Sequence, residues 1–99
     1  MRLKLVPVSY PDRVKAGEEY AVSFACVNQS LLPVAPCWCK LYRDGKFEKR
    51  MLQIFFLSRT VAFTFKLKAD GKGREVVRAT AGFTPLALTA AAEVEVEVE

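Results

Sequence analysis

The sequence contains no histidine, few cysteines and no long run of apolar residues. The absence of histidine removes the side chain that most often acts as a general base or binds a metal ion. A membrane-spanning helix needs about 20 consecutive apolar residues, and no stretch of this chain approaches that length. These absences argue against membrane insertion and against histidine-based catalysis or metal binding.

The composition is that of one folded domain. Hydrophobic residues make up 52% of the 99 residues, which is enough to fill a core, and the 26% share of charged residues does not indicate disorder. We expect residues 1–99 to form a single domain. The segment from Met1 to Pro7 alternates charged and apolar side chains, where a signal peptide would have a continuous apolar segment. We therefore expect no export signal within this chain.

Alternating apolar and polar residues predict β-strands along the whole chain. The dense apolar run at 47–57 is long enough for a helix, but its Ile and Phe residues and the neighbouring turn signals favour a strand. Pro7 suits an edge strand, where its missing N–H is not needed. The predicted strands span residues 2–8, 19–28, 36–42, 47–57, 59–68, 75–80 and 92–98. Seven strands without a helix predict an all-β, two-sheet antiparallel β-sandwich.

The third strand ends at Asp44-Gly45, a pair that supplies the positive φ angles of a two-residue hairpin turn. Alternate side chains of a strand share a face. We expect Cys37, Cys39 and Leu41 to face the core, and the outer face to carry Trp38, Lys40 and Tyr42. This outer face is a contact surface unless the segment 29–36 or the stem of Arg78 covers it.

Several short motifs resemble the CARDB family of adhesion-related domains from bacteria and archaea. They are AGE at 16–18, VSFACVN at 22–28, KLYRDG at 40–45, SRTVAF at 58–63 and a turn that contains Gly73. The resemblance covers nearly the whole chain and implies an immunoglobulin-like module without catalytic residues. It also implies a repeated or appended part of a large protein at the cell surface or outside the cell.

The three cysteines allow three interpretations. We favour small apolar residues inside the sandwich, where free cysteines usually lie. The alternatives are a disulfide from Cys26 to Cys37 or Cys39, and a metal held by the two thiols of the third strand. A disulfide between the second and sixth strands, as in antibody domains, is excluded because residues 75–83 contain no cysteine.

No arrangement of residues predicts an enzyme. No histidine stands beside a serine or cysteine, and the acidic residues lie mostly in turns or along the last strand. The segment from Asp70 to Gly73 is a hairpin-sized turn and not a phosphate-binding loop. We predict no catalytic residue, no cofactor and no metal.

Charge is distributed unevenly. Between residues 40 and 78 there are eleven Lys or Arg and four acidic residues, whereas the last strand carries Glu93, Glu95, Glu97 and Glu99. We interpret the glutamates as protection of a sheet edge against association with other edges. The distribution of charge behind the net value of +4 is therefore bipolar, with a basic middle and an acidic end of the sequence.

Two classes of function are compatible with these features. The first is a structural, adhesion or protein-interaction module of a larger surface assembly or a viral or appendage coat, with a protein, a neighbouring domain or a second copy as its partner. The alternative is binding of nucleic acid or another polyanion through stacking aromatics in a basic field. Carbohydrate binding is a third interpretation. The candidate binding residues are Trp38, Lys40, Tyr42 and Arg43.

Overall fold

The computed structural model of the chain describes residues 3–29, 34–56, 59–83 and 89–99. Every regular element in these ranges is a strand, so no helix there is long and apolar enough to cross a membrane. The strands are β1 (Leu3–Ser9), β2 (Arg13–Val14), β3 (Glu19–Asn28), β4 (Val34–Arg43), β5 (Lys46–Phe56), β6 (Thr60–Lys68), β7 (Gly73–Phe83) and β8 (Thr89–Val98).

The strands form two facing sheets. One has the order β1-β3-β6, and the other has the order β2-β8-β7-β4-β5. All pairs are antiparallel except β2–β8, which is parallel. The prediction of an immunoglobulin-like sandwich is confirmed, but there are eight strands in the described ranges instead of seven. The extra strand, β2, lies between the first two predicted strands and was not predicted, because two residues are too few for an alternating pattern.

The core lies between the sheets and follows the predicted alternation. Phe24 of β3 pairs with Phe63 of β6, and both side chains are completely buried. The alternate residues of β3, β6, β7 and β8 also face the core, and Val61, Ala90 and Ala92 among them are only partly buried. The buried members of these four rows are Tyr20, Val22, Phe24, Cys26, Asn28, Phe63, Phe65, Leu67, Glu75, Val77, Ala79, Ala81, Phe83, Val94, Val96 and Val98.

The β4–β5 hairpin has the predicted turn. Asp44 and Gly45 have φ angles of 50° and 83°, in the left-handed region that a two-residue hairpin turn requires. Asp44 also fixes the turn to β7, because its backbone N–H donates to the carbonyl of Val76 and its side chain accepts from the Val76 N–H at 3.0 Å. Glu48 is an extra residue in β5, since Leu41 pairs with Lys49 and Tyr42 with Phe47.

The first part of the chain contributes to both sheets. Strand β1 is the edge of the three-stranded sheet, which confirms the expectation for Pro7. After a register shift between Pro7 and Ser9 the chain crosses to the other sheet, where β2 runs beside the end of β8. The N–H of Ala16 donates to the carbonyl of Glu99 at 3.0 Å, and the N–H of Glu99 donates to the carbonyl of Val14 at 2.8 Å.

Candidate interaction surface

Strand β4 presents its side chains as the sequence predicts. Cys37, Cys39 and Leu41 are completely buried in the core. Trp38, Lys40 and Tyr42 alternate with them and lie partly exposed on the outer side of the five-stranded sheet. The described residues of this side form what we call the outer face.

Strand β5 adds three exposed apolar side chains to the outer face. Leu52 pairs with Trp38 and Phe47 with Tyr42, so these side chains are neighbours across the two strands. The exposed fractions are 56% for Phe47, 64% for Leu52 and 59% for Ile54. The rings of Tyr42 and Phe47 pack edge to face with centroids 5.8 Å apart. The outer face is thus largely apolar along its β5 side, where Arg50 alone among the described residues of this row separates Leu52 from Phe47.

Two cations lie within this apolar area. Lys40 pairs with Arg50 across β4 and β5, and the Lys40 Nζ atom lies 5.1 Å from the centroid of the Trp38 ring. At that distance the ammonium group is attracted by the face of the indole. A shallow hollow of about 350 Å³ is lined by Trp38, Lys40, Arg50 and Leu52. Such a hollow suits a partner molecule that presents an apolar or aromatic group next to an acidic group.

The opposite side of the outer face carries charges of both signs. Glu93 of β8 pairs with Arg78 of β7, and both line a hollow of about 420 Å³ that also includes Tyr42 and Thr80. Glu95 forms an ion pair with Arg74 at 3.6 Å, and Glu97 pairs in register with Arg74 and with Arg13 of β2. Each of these glutamates therefore has an arginine beside it, whereas the β4–β5 side carries Lys40 and Arg50.

The sequence analysis named two parts of the chain that could cover this face. One of them, Arg78, pairs with Tyr42 on the same side of the sheet. The other, the segment 29–36, includes residues 30–33, which lie outside the described residues.

Arg43 does not lie on the outer face, although the sequence groups it with the candidate binding residues. It follows Leu41 on the inner side of β4, where its guanidinium contacts Glu48 at 2.7 Å and Glu75 at 3.3 Å. Burial by itself lowers the pKa of Arg43, but the two carboxylates raise it above its ordinary value. The structure thus brings Trp38, Lys40 and Tyr42 together and places Arg43 in an ion-paired cluster at the end of the core.

This cluster is centred on Glu75, a buried acid that the sequence analysis did not single out. Its carboxylate accepts hydrogen bonds from the Tyr20 hydroxyl at 2.9 Å and from the backbone N–H of Asp70 at 3.0 Å. Burial and the Glu75 carboxylate raise the pKa of Tyr20. The position could have been found from the sequence, because the inward row of Val77, Ala79 and Ala81 continues backward to residue 75. All acceptors of Glu75 are used within the fold, so it is a structural acid.

The three cysteines are free thiols and completely buried, which confirms their interpretation as core residues. Cys26 and Cys37 share a hydrogen bond with their Sγ atoms 3.7 Å apart. That bond and burial raise the pKa of Cys26, and burial raises the pKa of Cys39 to about 12. The hydrogen bond with Cys26 lowers the pKa of Cys37, against the effect of burial. The thiolate forms needed for nucleophilic attack are thus disfavoured at Cys26 and Cys39. Within the described part of the chain, no three Cys, Asp or Glu residues converge on a point that could hold a metal.

Comparison with other proteins identifies the fold. No family model matches the chain, and no curated protein matches its sequence significantly. Among solved structures, the CARDB domain of a Pyrococcus furiosus protein, determined in complex with di-metal ions, matches with a TM-score of 0.75 and 16% identity. That match covers 99% of this chain and 86% of the other.

Two further structures have the same arrangement of strands. The PKD domain of an M14-like peptidase from a Thermoplasmatales archaeon matches with a TM-score of 0.70 and 20% identity, covering 97% of this chain and 94% of that one. A β-glucosidase from Listeria innocua matches with a TM-score of 0.70 and 17% identity over 98% of this chain but only 16% of its own. The chain therefore has the immunoglobulin-like fold found in CARDB and PKD domains.

Proposed function

We propose that residues 1–99 form a small non-catalytic interaction module that contacts a protein partner through the outer face. The observation that carries this proposal is the row of Phe47, Leu52 and Ile54, each more than half exposed beside Trp38 and Tyr42. Apolar side chains grouped on one surface mark sites of association, whereas isolated ones need no explanation. Aromatic residues and arginine are also enriched in protein interfaces, and Arg50 lies within this group.

The absence of catalysis is part of the proposal. A reactive centre needs a nucleophile or an acid–base pair that a substrate can reach. The buried thiols and the fully hydrogen-bonded Glu75 do not provide one, because each is enclosed by the fold.

We further propose that the module works as part of a larger assembly at a surface. The small share of the Listeria innocua β-glucosidase that matches this chain supports the idea, because domains with this fold occur there within a much longer chain. A domain of this kind positions its neighbours or holds them together. Its outer face is then the surface on which the contact is made.

A second candidate is binding of a polyanion. It is favoured by the hollow where Lys40 and Arg50 lie beside Trp38. The two cations suit a phosphate or sulfate group of a ligand, and the indole ring suits a planar group of the same ligand. Such binding would weaken steeply with salt, because it depends on the release of counterions. An apolar protein contact through Leu52 and Ile54 would not.

Site-specific photo-crosslinking tests the proposal. A photoreactive amino acid at position 52 should yield adducts of discrete mass with a protein in the producing cells, and Trp38→Ser should reduce their yield. The matched control is the same amino acid at Val8, which is 62% exposed on the edge of the other sheet. Equal adduct patterns from the two positions, or no adduct from position 52, would contradict a protein contact at the outer face. Binding to heparin that is lost in Lys40→Ser/Arg50→Ser, with no protein adduct, would favour the polyanion.

A further inference from the structure

The interior of the sandwich contains a site for a covalent modification. We propose that Cys26 and Cys37 form a disulfide between the two sheets when the domain folds in an oxidising compartment. All three cysteines are thiols in the structure, and the disulfide is a second state of this one pair. The inference goes beyond the proposed function, because it concerns the core and does not depend on the outer face. It is carried by the contact between two sulfur atoms and by the strands that hold them.

The two thiols are already neighbours. Their Sγ atoms lie 3.7 Å apart, and both side chains are completely buried. A disulfide needs a separation of about 2.0 Å between the sulfur atoms. Rotations about the two Cα–Cβ bonds and a slight approach of the strands bring the sulfur atoms this close. The disulfide therefore requires a local adjustment and no new arrangement of strands.

Each of the two cysteines lies on an inner strand of its sheet. Cys26 belongs to β3, which is paired with β1 and β6, and Cys37 belongs to β4, which is paired with β7 and β5. Strands on both sides hold each of them, so the two thiols meet at a fixed place. In antibody domains a disulfide also joins the two sheets, although it does so from the second and sixth strands. The layer between two such sheets is thus able to hold one.

The fold selects one of the two cysteines of β4. Cys37 and Cys39 both face inward, and successive side chains on one side of a strand lie about 7 Å apart. The contact with Cys26 is made by Cys37, so Cys39 lies one step further along the strand. The same contact raises the pKa of Cys26 and lowers the pKa of Cys37, because the Cys26 thiol donates to the Cys37 sulfur. The two sulfurs that share a proton are the ones to be bridged, and Cys39 stays a free thiol.

A small disulfide such as oxidised glutathione is the oxidant. One cysteine attacks it as a thiolate, releases one reduced glutathione and keeps the other half as a mixed disulfide. The second cysteine attacks the protein sulfur of the mixed disulfide, which forms the bond between the sheets and releases the second reduced glutathione. The two thiol protons of the protein leave with these two molecules. Because both sulfurs are buried in the folded domain, the exchange takes place before the sheets have closed.

The disulfide would make the stability of the domain depend on its compartment. The two cysteines are 11 positions apart in the chain. A disulfide that closes such a loop restricts the unfolded chain and so stabilises the folded one. By the same linkage, folding favours the disulfide over the two thiols. A domain that folds in an oxidising compartment is then locked, whereas one in a reducing compartment keeps its thiols.

Refolding in a glutathione buffer tests the proposal. Fully reduced protein is diluted from urea into a mixture of reduced and oxidised glutathione, and its free thiols are then labelled in denaturant and counted by intact mass. The folded domain should carry one free thiol, against three for protein refolded with reduced glutathione alone. A peptide map should join position 26 to position 37. The bridged protein should unfold at about 1 M higher urea than the reduced protein.

Two controls separate the effect of the fold from that of random pairing. The same glutathione mixture with the urea retained should give at least a tenfold lower ratio of bridged to reduced chains. Cys39→Ala should form the bridge and leave no free thiol, whereas Cys37→Ala removes a thiol from the same strand and should keep both of its remaining thiols. Circular dichroism shows whether each variant folds. If Cys39→Ala does not fold, the peptide map of the parent still identifies the bonded pair.

Three results would overturn the proposal. The first is a folded parent that keeps three free thiols in the oxidising mixture. The second is a disulfide from Cys26 to Cys39. The third is a bridge between Cys26 and Cys37 that forms equally often with and without urea, because the fold would then not align the pair. None of these results bears on the outer face, which crosslinking from position 52 tests separately.

Discussion

The Sγ atom of Cys26 on β3 lies 3.7 Å from the Sγ atom of Cys37 on β4, so two thiols touch across the space between the sheets. Both side chains are completely buried, and Cys39 follows on the same inner side of β4. The contact joins a strand of the three-stranded sheet to the strand that carries Trp38 and Tyr42 outward. Packing at the cysteines therefore positions the outer face.

We expect all three cysteines to resist thiol reagents while the domain is folded, because their side chains are completely buried and a reagent cannot reach the sulfur atoms. Intact mass after timed labelling should show no adduct before unfolding and three in denaturant. Cys26→Ser should lower the free energy of unfolding by about 1 to 3 kcal/mol, since it puts a hydroxyl in an apolar site. Rapid labelling of Cys26 without denaturant would contradict this.

Stability should fall at alkaline pH. The folded-state pKa of Cys39 is raised from 9.0 to about 12 by burial and by the charge of Cys37, so the stabilisation is complete below pH 9 and is lost as pH rises towards 12. Tyr20, whose pKa is also raised, adds to the loss above pH 10. The slope from one such group is at most about 1.4 kcal/mol per pH unit. Urea unfolding between pH 7.5 and pH 11 measures it, and Cys39→Ala should flatten the part between pH 9 and pH 10.

Phe63 should be essential for stability. It is completely buried, and it pairs with Phe24 at the centre of the three-stranded sheet. Phe63→Ala should cost about 3 to 5 kcal/mol through lost burial and a cavity, and Phe65→Ala a similar amount. Thr64→Ala, on the exposed side of the same strand, should cost less than about 1 kcal/mol. Equal denaturation midpoints for Phe63→Ala and Thr64→Ala would show that the inner side of β6 is assigned wrongly.

Glu75→Ala should destabilise the domain by about 3 kcal/mol. The substitution leaves the Tyr20 hydroxyl and the Asp70 N–H without their acceptor and removes one of the two carboxylates beside Arg43. Glu95→Ala removes an exposed ion pair with Arg74 and should change stability by less than about 0.5 kcal/mol. Chemical denaturation at neutral pH compares the two, and similar losses would contradict the structural role of Glu75.

Trp38→Ser/Tyr42→Ser should reduce self-association or partner binding through the outer face much more than stability. Both side chains are partly exposed and lie outside the core, so the free energy of unfolding should change by about 1 kcal/mol. Association should weaken, because aromatic residues at the centre of an interface contribute most to binding. Tyr10→Ser, at an exposed tyrosine away from the face, is the control. A double variant that does not fold would place Trp38 in the core.

The strands that alternate clearly were predictable from the sequence, and β5 shows why others were harder. In β3 and β6 one side faces the core and the other faces water, so the pattern gives both the strand and its orientation. In β5 the buried Phe55 stands in an apolar run, because the residues Leu52 and Ile54 that point to the outer face are apolar as well. An apolar run normally indicates burial on both sides. Here β5 is the edge of its sheet, and its outer side is open.

The candidate site could be predicted only in part. The alternation of side chains along β4 is enough to place Trp38, Lys40 and Tyr42 on one side of the strand, and the structure agrees. Arg43 was grouped with them because it is basic and adjacent in sequence, but its orientation depends on Glu48 and Glu75, which come from other strands. Likewise the pairing of the β8 glutamates with Arg74 and Arg78 depends on β8 lying beside β7, a pairing that no local pattern contains.

The parallel pairing of β2 with β8 has a mechanical consequence. Three backbone hydrogen bonds connect this part of the chain, from Glu97 to Asp12, from Glu99 to Val14 and from Ala16 to Glu99. A force that pulls the chain ahead of Arg13 away from the chain beyond Val98 makes two parallel strands slide along each other. Such a force loads these bonds together in shear, whereas antiparallel strands pulled from neighbouring ends would separate one bond at a time. The β2–β8 pairing therefore resists such a force better than an antiparallel pair of the same length pulled from neighbouring ends.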